Sequence, residues 1–377
     1  MPGLRPDVDP DGLSEFSVVF TDRSLNHMSA KFQGVMRDIS AMLREVYGAE
    51  AVALVPGGGT FAMEAVARQF ATGRRALIVR NGWFSYRWTQ IFEAGGFAAD
   101  TTVVMARPAG NIPQAPFAPP PIEDVIAAIR NDKPEVVFAP HVETSSGIIL
   151  PDDYITQMAA AAHEVGALMV LDCIASGCVW VDMSKTGVDV LISAPQKGWS
   201  ASPSAGMVML SALAAERLDG TASNSFAMDL KKWRAIMKAY EDGGHAYHAT
   251  MPTDALVGLR DAMTETRAMG FDAAKDAQWA LGNAVREMLA GMGVVSVAAP
   301  GFGAPGVVVS FTSDPDIQNG RKFLAEGMQI AAGVPLQVGE GAEFRTFRLG
   351  LFGLDKLADV DATLARLRPV LERVLAG

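Results

Sequence analysis

Residues 51–71 read AVALVPGGGTFAMEAVARQFA. The first five residues form a short apolar run of the kind found in buried strands, and the segment 60–71 has the apolar spacing of an amphipathic helix. Gly57, Gly58 and Gly59 stand between the two. A buried strand that turns through glycines into a helix is the first unit expected of an α/β fold.

The same alternation continues up to residue 210. Apolar, β-branched segments alternate with segments of helical periodicity, which predicts a mostly parallel sheet covered by helices on both faces. The seven predicted strands of this sheet are 51–55, 76–81, 101–105, 136–140, 168–172, 188–193 and 206–210.

The pattern changes after residue 253. A long helix, fewer strands and a last helix follow, which predicts a smaller α+β domain with strands at 294–299, 307–311 and 344–350. We therefore divide the chain into an N-terminal arm (1–30), a large domain (31–255) and a small C-terminal domain (256–377). The irregular arm is expected to lie on another surface, such as a second subunit.

Composition excludes several classes of protein. The 377 residues are 49% hydrophobic and 20% charged, as in a globular rather than a disordered protein. The net charge of -10 argues against nucleic-acid and anionic-membrane partners, which favour basic patches. The two cysteines, Cys173 and Cys178, cannot build a disulfide framework, so a reducing cytoplasm is expected. We find neither a signal peptide nor an apolar run near the ~18 residues of a membrane span.

The glycine turn is a candidate anion site. The start of a helix offers unpaired backbone N–H groups and the positive end of its dipole to a phosphate or carboxylate. The alternative is a tight turn that binds nothing. Neither nucleotide-binding fingerprint fits, because Phe61 or Ala62 stands where the last glycine of G-x-G-x-x-G belongs, and no Gly-Lys-Ser/Thr follows.

Asp172 and Lys197 form a second signal. Asp172 ends one predicted strand and Lys197 follows the next, and ligands of open α/β sheets bind beyond the carboxyl ends of the strands. Singly, Asp172 would be read as a strand-end cap and Lys197 as a surface lysine. Together with an anion site, a lysine and a carboxylate are what an enzyme dependent on pyridoxal phosphate needs, with the lysine as Schiff base and the carboxylate beside the pyridinium nitrogen. No cluster has zinc-ligand spacing, so no metal is expected.

Ordered motifs along the chain match one family. They are Gly58-Gly59-Thr60, Asn81-Gly82-Trp83-Phe84, His141-Val142-Glu143-Thr144-Ser145-Ser146-Gly147, Asp172-Cys173-Ile174-Ala175-Ser176, Gln196-Lys197, Tyr247-His248-Ala249-Thr250-Met251-Pro252 and Phe347-Arg348-Leu349-Gly350. In order and spacing they resemble the class V aminotransferases of pyridoxal phosphate fold type I, in particular the serine–pyruvate and alanine–glyoxylate branch. The resemblance runs from about residue 31 to the C-terminus.

The resemblance implies a role for each motif. The implied cofactor-binding residues are Gly58, Gly59, Thr60, Phe84, Thr144, Asp172, Ile174, Gln196 and Lys197. Phe84 would stack on the cofactor ring, with the adjacent Trp83 as the alternative. Tyr247 and Thr250 would reach the phosphate of the other subunit's cofactor, which implies an obligatory homodimer.

Arg348 would hold the α-carboxylate of the substrate, because a planar guanidinium binds a carboxylate through two hydrogen bonds. Arg345 lies three residues earlier and would face the opposite side of a regular strand. Its expected role is a surface or interdomain ion pair.

The implied reaction is ping-pong transamination between a small amino acid and a small 2-oxo acid such as glyoxylate or pyruvate. Lys197, once released from the cofactor, would act as general acid and base. Two alternatives stay open, a lyase that cleaves C–S bonds as cysteine desulfurases do and a non-catalytic ligand-binding protein. Pro2-Gly3 and Asp22 depart from the family's N-terminal pattern and leave the amino donor undecided.

Overall fold

The computed structural model describes residue 16 and residues 25–376. Pro2, Gly3, Asp22 and most of the predicted arm lie outside these residues. The strands are β1 (Ala51–Pro56), β2 (Arg75–Arg80), β3 (Asp100–Met105), β4 (Arg107–Pro108), β5 (Phe117–Ala118), β6 (Val136–Pro140), β7 (Val142–Glu143), β8 (Ile148–Ile149), β9 (Leu168–Asp172), β10 (Val190–Ser193), β11 (Ala205–Leu210), β12 (Val307–Phe311), β13 (Ala331–Ala332) and β14 (Thr346–Gly350).

The helices follow from local signals such as those of the first one, where Ser29 caps the N-terminus and Gly48 ends the helix in the left-handed conformation. They are α1 (Ala30–Tyr47), α2 (Gly59–Phe70), α3 (Trp83–Gly95), α4 (Ile122–Asp132), α5 (Asp152–Glu164), α6 (Met183–Thr186), α7 (Ala212–Asp219), α8 (Leu230–Glu241), α9 (Thr253–Met269), α10 (Phe271–Gly291), α11 (Pro315–Gln318), α12 (Arg321–Ala325), α13 (Leu354–Leu357) and α14 (Val360–Leu375). None of these helices combines the length and the apolar character needed to cross a membrane.

The predicted seven-stranded, mostly parallel sheet is confirmed. Its strands lie in the order β1-β11-β10-β9-β6-β2-β3. Neighbouring strands from β10 to β3 are parallel, whereas β11 runs antiparallel to β1 and to β10. The strands β6, β9, β10 and β11 are buried along their whole length, because helices cover both faces of the sheet.

The sheet direction brings distant parts of the sequence to one edge. All strands except β11 point the same way, so the glycine turn after β1 and the segments after β9 and β10 leave the sheet at the same edge. This edge is where open α/β sheets bind their ligands.

The C-terminal part contains a three-stranded antiparallel sheet in the order β12-β14-β13. The predicted strand 294–299 is wrong, because this segment makes only single bridges, from Ser296 to Ser310 and from Ala298 to Phe117. The predicted long helix after residue 253 is two helices, since Gly270 adopts a φ of 93° between α9 and α10. The domain boundary between residues 255 and 256 stays a prediction. Helix α9 spans this boundary and packs against α1 of the predicted large domain as well as against α10 of the predicted small domain.

Candidate active site

One cavity of about 450 Å³ lies at the carboxyl edge of the large sheet. It contains every predicted site residue except Tyr247 and Thr250. Its lining consists of Gly57, Gly58, Gly59, Thr60, Phe61, Met63, Phe84, Arg87, Val142, Thr144, Asp172, Ile174, Ala175, Gln196, Lys197, Pro203, Val307, Ala331, Arg348, Gly350 and Phe352. Both sheets therefore contribute to the same cavity.

The glycine turn packs too closely for larger residues. Gly57 has a φ of 121°, and a Cβ there would lie 2.7 Å from the ring of Phe61. A Cβ on Gly59 would collide with the side chain of Ile174, which comes from the loop after β9. The glycines thus let the start of α2 approach this loop, with the free N–H groups of the helix at the cavity.

Asp172 ends β9 and is only 7% exposed. Its Oδ1 accepts a hydrogen bond from the backbone N–H of Ile174 at 2.9 Å. Burial raises the pKa of Asp172 to about 7, and the charge of Glu143 adds to this, while the Ile174 N–H and the charge of Arg87 act in the opposite direction. The nearby cationic group of a ligand would favour the ionised carboxylate.

Lys197 lies in a tight turn after β10. A Cβ on Gly198 would collide with the carbonyl oxygen of Gly177, so the turn packs directly against the loop that follows Asp172. Ser200, which ends the turn, has a φ of 55°, a left-handed conformation uncommon for residues other than glycine. Burial and the positive charge of Arg348 lower the pKa of Lys197. A larger fraction of the amine is therefore unprotonated at neutral pH than in a surface lysine.

Glu143 is fully buried and holds the start of helix α3. Its carboxylate accepts hydrogen bonds from the backbone N–H groups of Phe84 and Ser85, at 3.1 and 2.8 Å, and from the hydroxyl groups of Ser85 and Ser145. A Cβ on Gly82 would collide with Ser145. The contacts fix the backbone of Phe84, whose ring lines the cavity, whereas Trp83 does not line it.

Arg348 lies on the central strand of the small sheet. Its Nε donates to the carbonyl oxygen of Ala332 at 2.8 Å, and its guanidinium carbon lies 5.6 Å from the ring centroid of Phe84. It forms no ion pair with any residue that the structure describes. Arg345 lines a different cavity, together with residues 311–313, 339–341, 343 and 344.

Tyr247 and Thr250 lie outside the cavity of their own chain. Their hydroxyl groups are 3.3 Å apart and line a separate cavity of about 110 Å³. Tyr247 is 59% exposed. If Tyr247 or Thr250 contacts a cavity like the one that Lys197 lines, that cavity belongs to another chain.

Sequence reasoning missed several residues of the cavity, above all Arg87 and Phe352. The Nη1 of Arg87 donates to the hydroxyl of Thr60 at 2.9 Å, and its guanidinium carbon lies 5.2 Å from the ring centroid of Phe84. Its position one turn after Phe84 on α3 was the available signal, because side chains three residues apart share a helix face. Phe352 follows β14 and offered no comparable signal.

Neither cysteine lines the cavity. Both are buried, and burial raises the pKa of Cys178 to about 12 and that of Cys173 well above its usual range. A buried thiol of raised pKa is a poor nucleophile. Within the part of the chain that the structure describes, no three His, Cys, Asp or Glu residues are grouped as metal ligands.

The cavity suits a phosphorylated pyridine cofactor. The backbone N–H groups at the start of α2 can receive the phosphate, and Gly59 leaves space that a Cβ would fill. Asp172 and Lys197 line the same space. Fold and cavity together define an enzyme of pyridoxal phosphate fold type I.

Comparisons with known proteins identify the family. The family model "Aminotransferase class-V" matches residues 14–335. A "Soluble hydrogenase, small subunit" of Synechococcus sp. is 26% identical over 91% of this chain and 88% of its own length, and a 2-aminoethylphosphonate–pyruvate transaminase of Paraburkholderia phymatum is 29% identical over 92% and 90%. The structure of an alanine–glyoxylate aminotransferase of Nostoc sp. has a TM-score of 0.78 at 25% identity and covers 93% of this chain and 88% of its own.

The chain belongs to the class V aminotransferase family. It is an enzyme, a transaminase that uses pyridoxal phosphate. The fold and cofactor expected from the sequence motifs are thus confirmed.

Proposed function

We propose that the cavity transfers the amino group of a small primary amine to a small 2-oxo acid, glyoxylate or pyruvate, in a ping-pong reaction. The observation that carries the proposal is that Lys197, Asp172 and Arg348 line one cavity. Further support comes from the names of relatives, which include transaminases of pyruvate and of glyoxylate. The cavity walls away from these charges are mostly apolar, as a small donor side chain requires.

Each of the three residues has a separate task. The bound cofactor supplies the electron sink that makes the Cα proton of the donor acidic. The Nζ of Lys197 removes this proton, because the amine lines the cavity, and burial and the charge of Arg348 lower its pKa, which favours the neutral amine. Asp172, ionised beside a cation, holds the proton on the ring nitrogen of the cofactor. Arg348 binds the α-carboxylate through two hydrogen bonds.

The remaining cavity residues bind the cofactor. The backbone N–H groups of Gly58, Gly59 and Thr60 and the amide of Gln196 hold the phosphate. Arg87 keeps the Thr60 hydroxyl oriented through the hydrogen bond of 2.9 Å. Phe84 and Ile174 would pack against the two faces of the ring, and Thr144 would hold its phenolic oxygen; all three residues line the cavity.

The active assembly in this proposal is a homodimer. Tyr247 exposes 59% of its surface and lines a cavity separate from that of Lys197, so its side chain is accessible to a second subunit. Tyr247 and Thr250 would then bind the cofactor phosphate of the partner. We further propose that the large domain ends at residue 255 and the small domain begins at residue 256. We also propose a cytoplasmic location, because both cysteines are unpaired.

A panel of amines tests the proposed reaction. We expect the visible absorbance of the purified enzyme with its cofactor to be bleached by one or more of alanine, serine, aspartate, 2-aminoethylphosphonate and pyridoxamine. Glyoxylate or pyruvate should restore it. The amine that reacts fastest identifies the donor. If no amine bleaches the absorbance, or if cysteine releases sulfide, the enzyme is not this transaminase.

Subunit hybrids test the dimer. We expect Lys197→Ala and Tyr247→Ala homodimers each to be impaired, and a hybrid of the two to regain activity. In the hybrid, one site combines an intact Lys197 with an intact Tyr247 of the partner. Removing a hydrogen bond to the phosphate should weaken cofactor binding by about 10- to 150-fold in the Tyr247→Ala homodimer.

Hybrids are obtained by co-expressing the two variants with different tags and purifying the doubly tagged dimer. A doubly tagged Lys197→Ala homodimer is the control. A hybrid no more active than its parents would show that Tyr247 acts within its own chain or not at all.

A further inference from the structure

Phe352 is the aromatic residue that faces the amine of Lys197. The Nζ atom lies 5.5 Å from the centroid of the Phe352 ring, and both side chains line the cavity. Within about 6 Å, the face of an aromatic ring attracts a cation, so this contact favours the ammonium over the neutral amine.

The backbone on either side of Phe352 is anchored. The N–H of Leu351 donates to the carbonyl oxygen of Gly306 at 2.9 Å, and the N–H of Leu354 donates to the hydroxyl of Ser200 at 2.9 Å. A Cβ on Gly306 would lie 2.7 Å from the Phe352 ring. The ring is thus held between the start of β12 and the turn that carries Lys197, and its distance to the amine is set by both.

Burial and one neighbouring positive charge act against the ammonium form of Lys197. Burial and the charge of Arg348 lower the pKa of Lys197. The charged side chains that share the cavity with it are Asp172, Arg87 and Arg348. Lys197 forms no ion pair with a carboxylate in the described chain. The ring of Phe352 is therefore a neighbour that favours the charged form of the Lys197 amine, although no carboxylate is paired with it.

We propose that Phe352 is a positioning residue for the proton transfer, whose ring face holds the Nζ of Lys197 and stabilises it while it carries the proton taken from the donor's Cα. The Cα–H bond breaks and its proton is held on Nζ, which would then deliver it to the cofactor carbon that receives the amino group, so that Nζ returns to the neutral amine. The inference rests on the role of Lys197 in the proposed function. Phe352 itself exchanges no proton.

The variants Phe352→Leu and Phe352→Tyr test this role. Leucine keeps an apolar side chain without an aromatic face, whereas tyrosine keeps the face. In Phe352→Leu, loss of the ring lowers the pKa of Nζ, so the acid limb of the single-turnover rate should move to lower pH by roughly 0.4–1.5 units, the range expected of a cation–π contact. The rate above this limb should also fall, because a weaker base removes the Cα proton more slowly.

Phe352→Tyr should keep the acid limb at the wild-type pH. A purely structural defect would lower the rate at every pH without moving the limb. An unchanged limb in Phe352→Leu, or equal shifts in both variants, would overturn the proposal.

A second readout separates Lys197 from Asp172, whose pKa of about 7 could also produce an acid limb. The cofactor-free protein is labelled with an amine-reactive reagent over a range of pH, and labelling of Lys197 is measured by peptide mass spectrometry. The midpoint for Lys197 should fall in Phe352→Leu, while the exposed Lys185 stays unchanged as internal control. A constant Lys197 midpoint would contradict the inference.

The same experiments distinguish the inference from the proposed function. If Lys197→Arg still catalyses the half-reaction, the role of Lys197 is wrong. If Lys197→Arg is inactive and the Phe352→Leu profile and labelling midpoint are unchanged, only the role of Phe352 is wrong.

Discussion

Lys197→Arg is expected to abolish amino transfer. General acid–base catalysis alone contributes about 10²- to 10⁴-fold, and arginine stays protonated at any pH at which the enzyme is folded, so kcat should fall by at least this factor. The variant also loses the amine that binds the cofactor covalently. Turnover of the variant is measured with the best donor of the panel, at saturating cofactor.

Lys185→Arg is the matched control, because the Lys185 side chain is 82% exposed on the surface. It should retain wild-type turnover. The melting temperatures of both variants should remain close to that of the wild type, since Lys197 forms no ion pair in the described chain. A Lys197→Arg enzyme with turnover like the wild type would contradict the assignment of the catalytic lysine.

Arg348→Met should have the second largest effect. The guanidinium offers two charge-assisted hydrogen bonds to the α-carboxylate, each worth about 1.5–3 kcal/mol, so kcat/KM should fall by roughly 10²- to 10⁴-fold. The loss should appear with the amino donor and with the 2-oxo acid alike, because both carry the carboxylate. A donor without an α-carboxylate, such as 2-aminoethylphosphonate, should lose less in its own half-reaction if the phosphonate is not held by Arg348.

Arg345→Met provides the control for a nearby arginine. Arg345 lies before the same strand but lines a different cavity, so its removal should leave kcat/KM unchanged for both substrates. Equal losses in Arg345→Met and Arg348→Met would contradict the assignment of Arg348 as the carboxylate ligand.

The large sheet was predictable because its signals are local. Each strand is a short apolar run, each helix has its own periodicity, and the glycine turn stands between one strand and one helix. The strand predicted at 294–299 was wrong because that prediction, too, used only local signals. The segment is as apolar as a strand, but it pairs with its neighbours only through isolated bridges, from Ser296 to Ser310 and from Ala298 to Phe117, which sequence periodicity cannot show.

The cavity was predictable in part. Asp172 and Lys197 follow strands of one direction, so their meeting could be inferred from topology alone. Arg348 could be assigned only through resemblance to the family, because it comes from the other sheet, more than 150 residues away in the sequence. Arg87 was missed although it lies one helical turn after Phe84, and Phe352 was missed because nothing in its local sequence distinguishes it from a core residue.

By itself, the sequence determined the alternation of strands and helices, the glycine turn at the start of α2 and the order of the family's motifs. These features depend on periodicity and on residue types a few positions apart. Only the tertiary structure decided that β11 lies antiparallel between β1 and β10, that the buried Glu143 holds the start of α3, and that the ring of Phe352 faces Lys197. The physical reason is that these contacts join segments distant in sequence, and they form only when the sheet and its helices pack together.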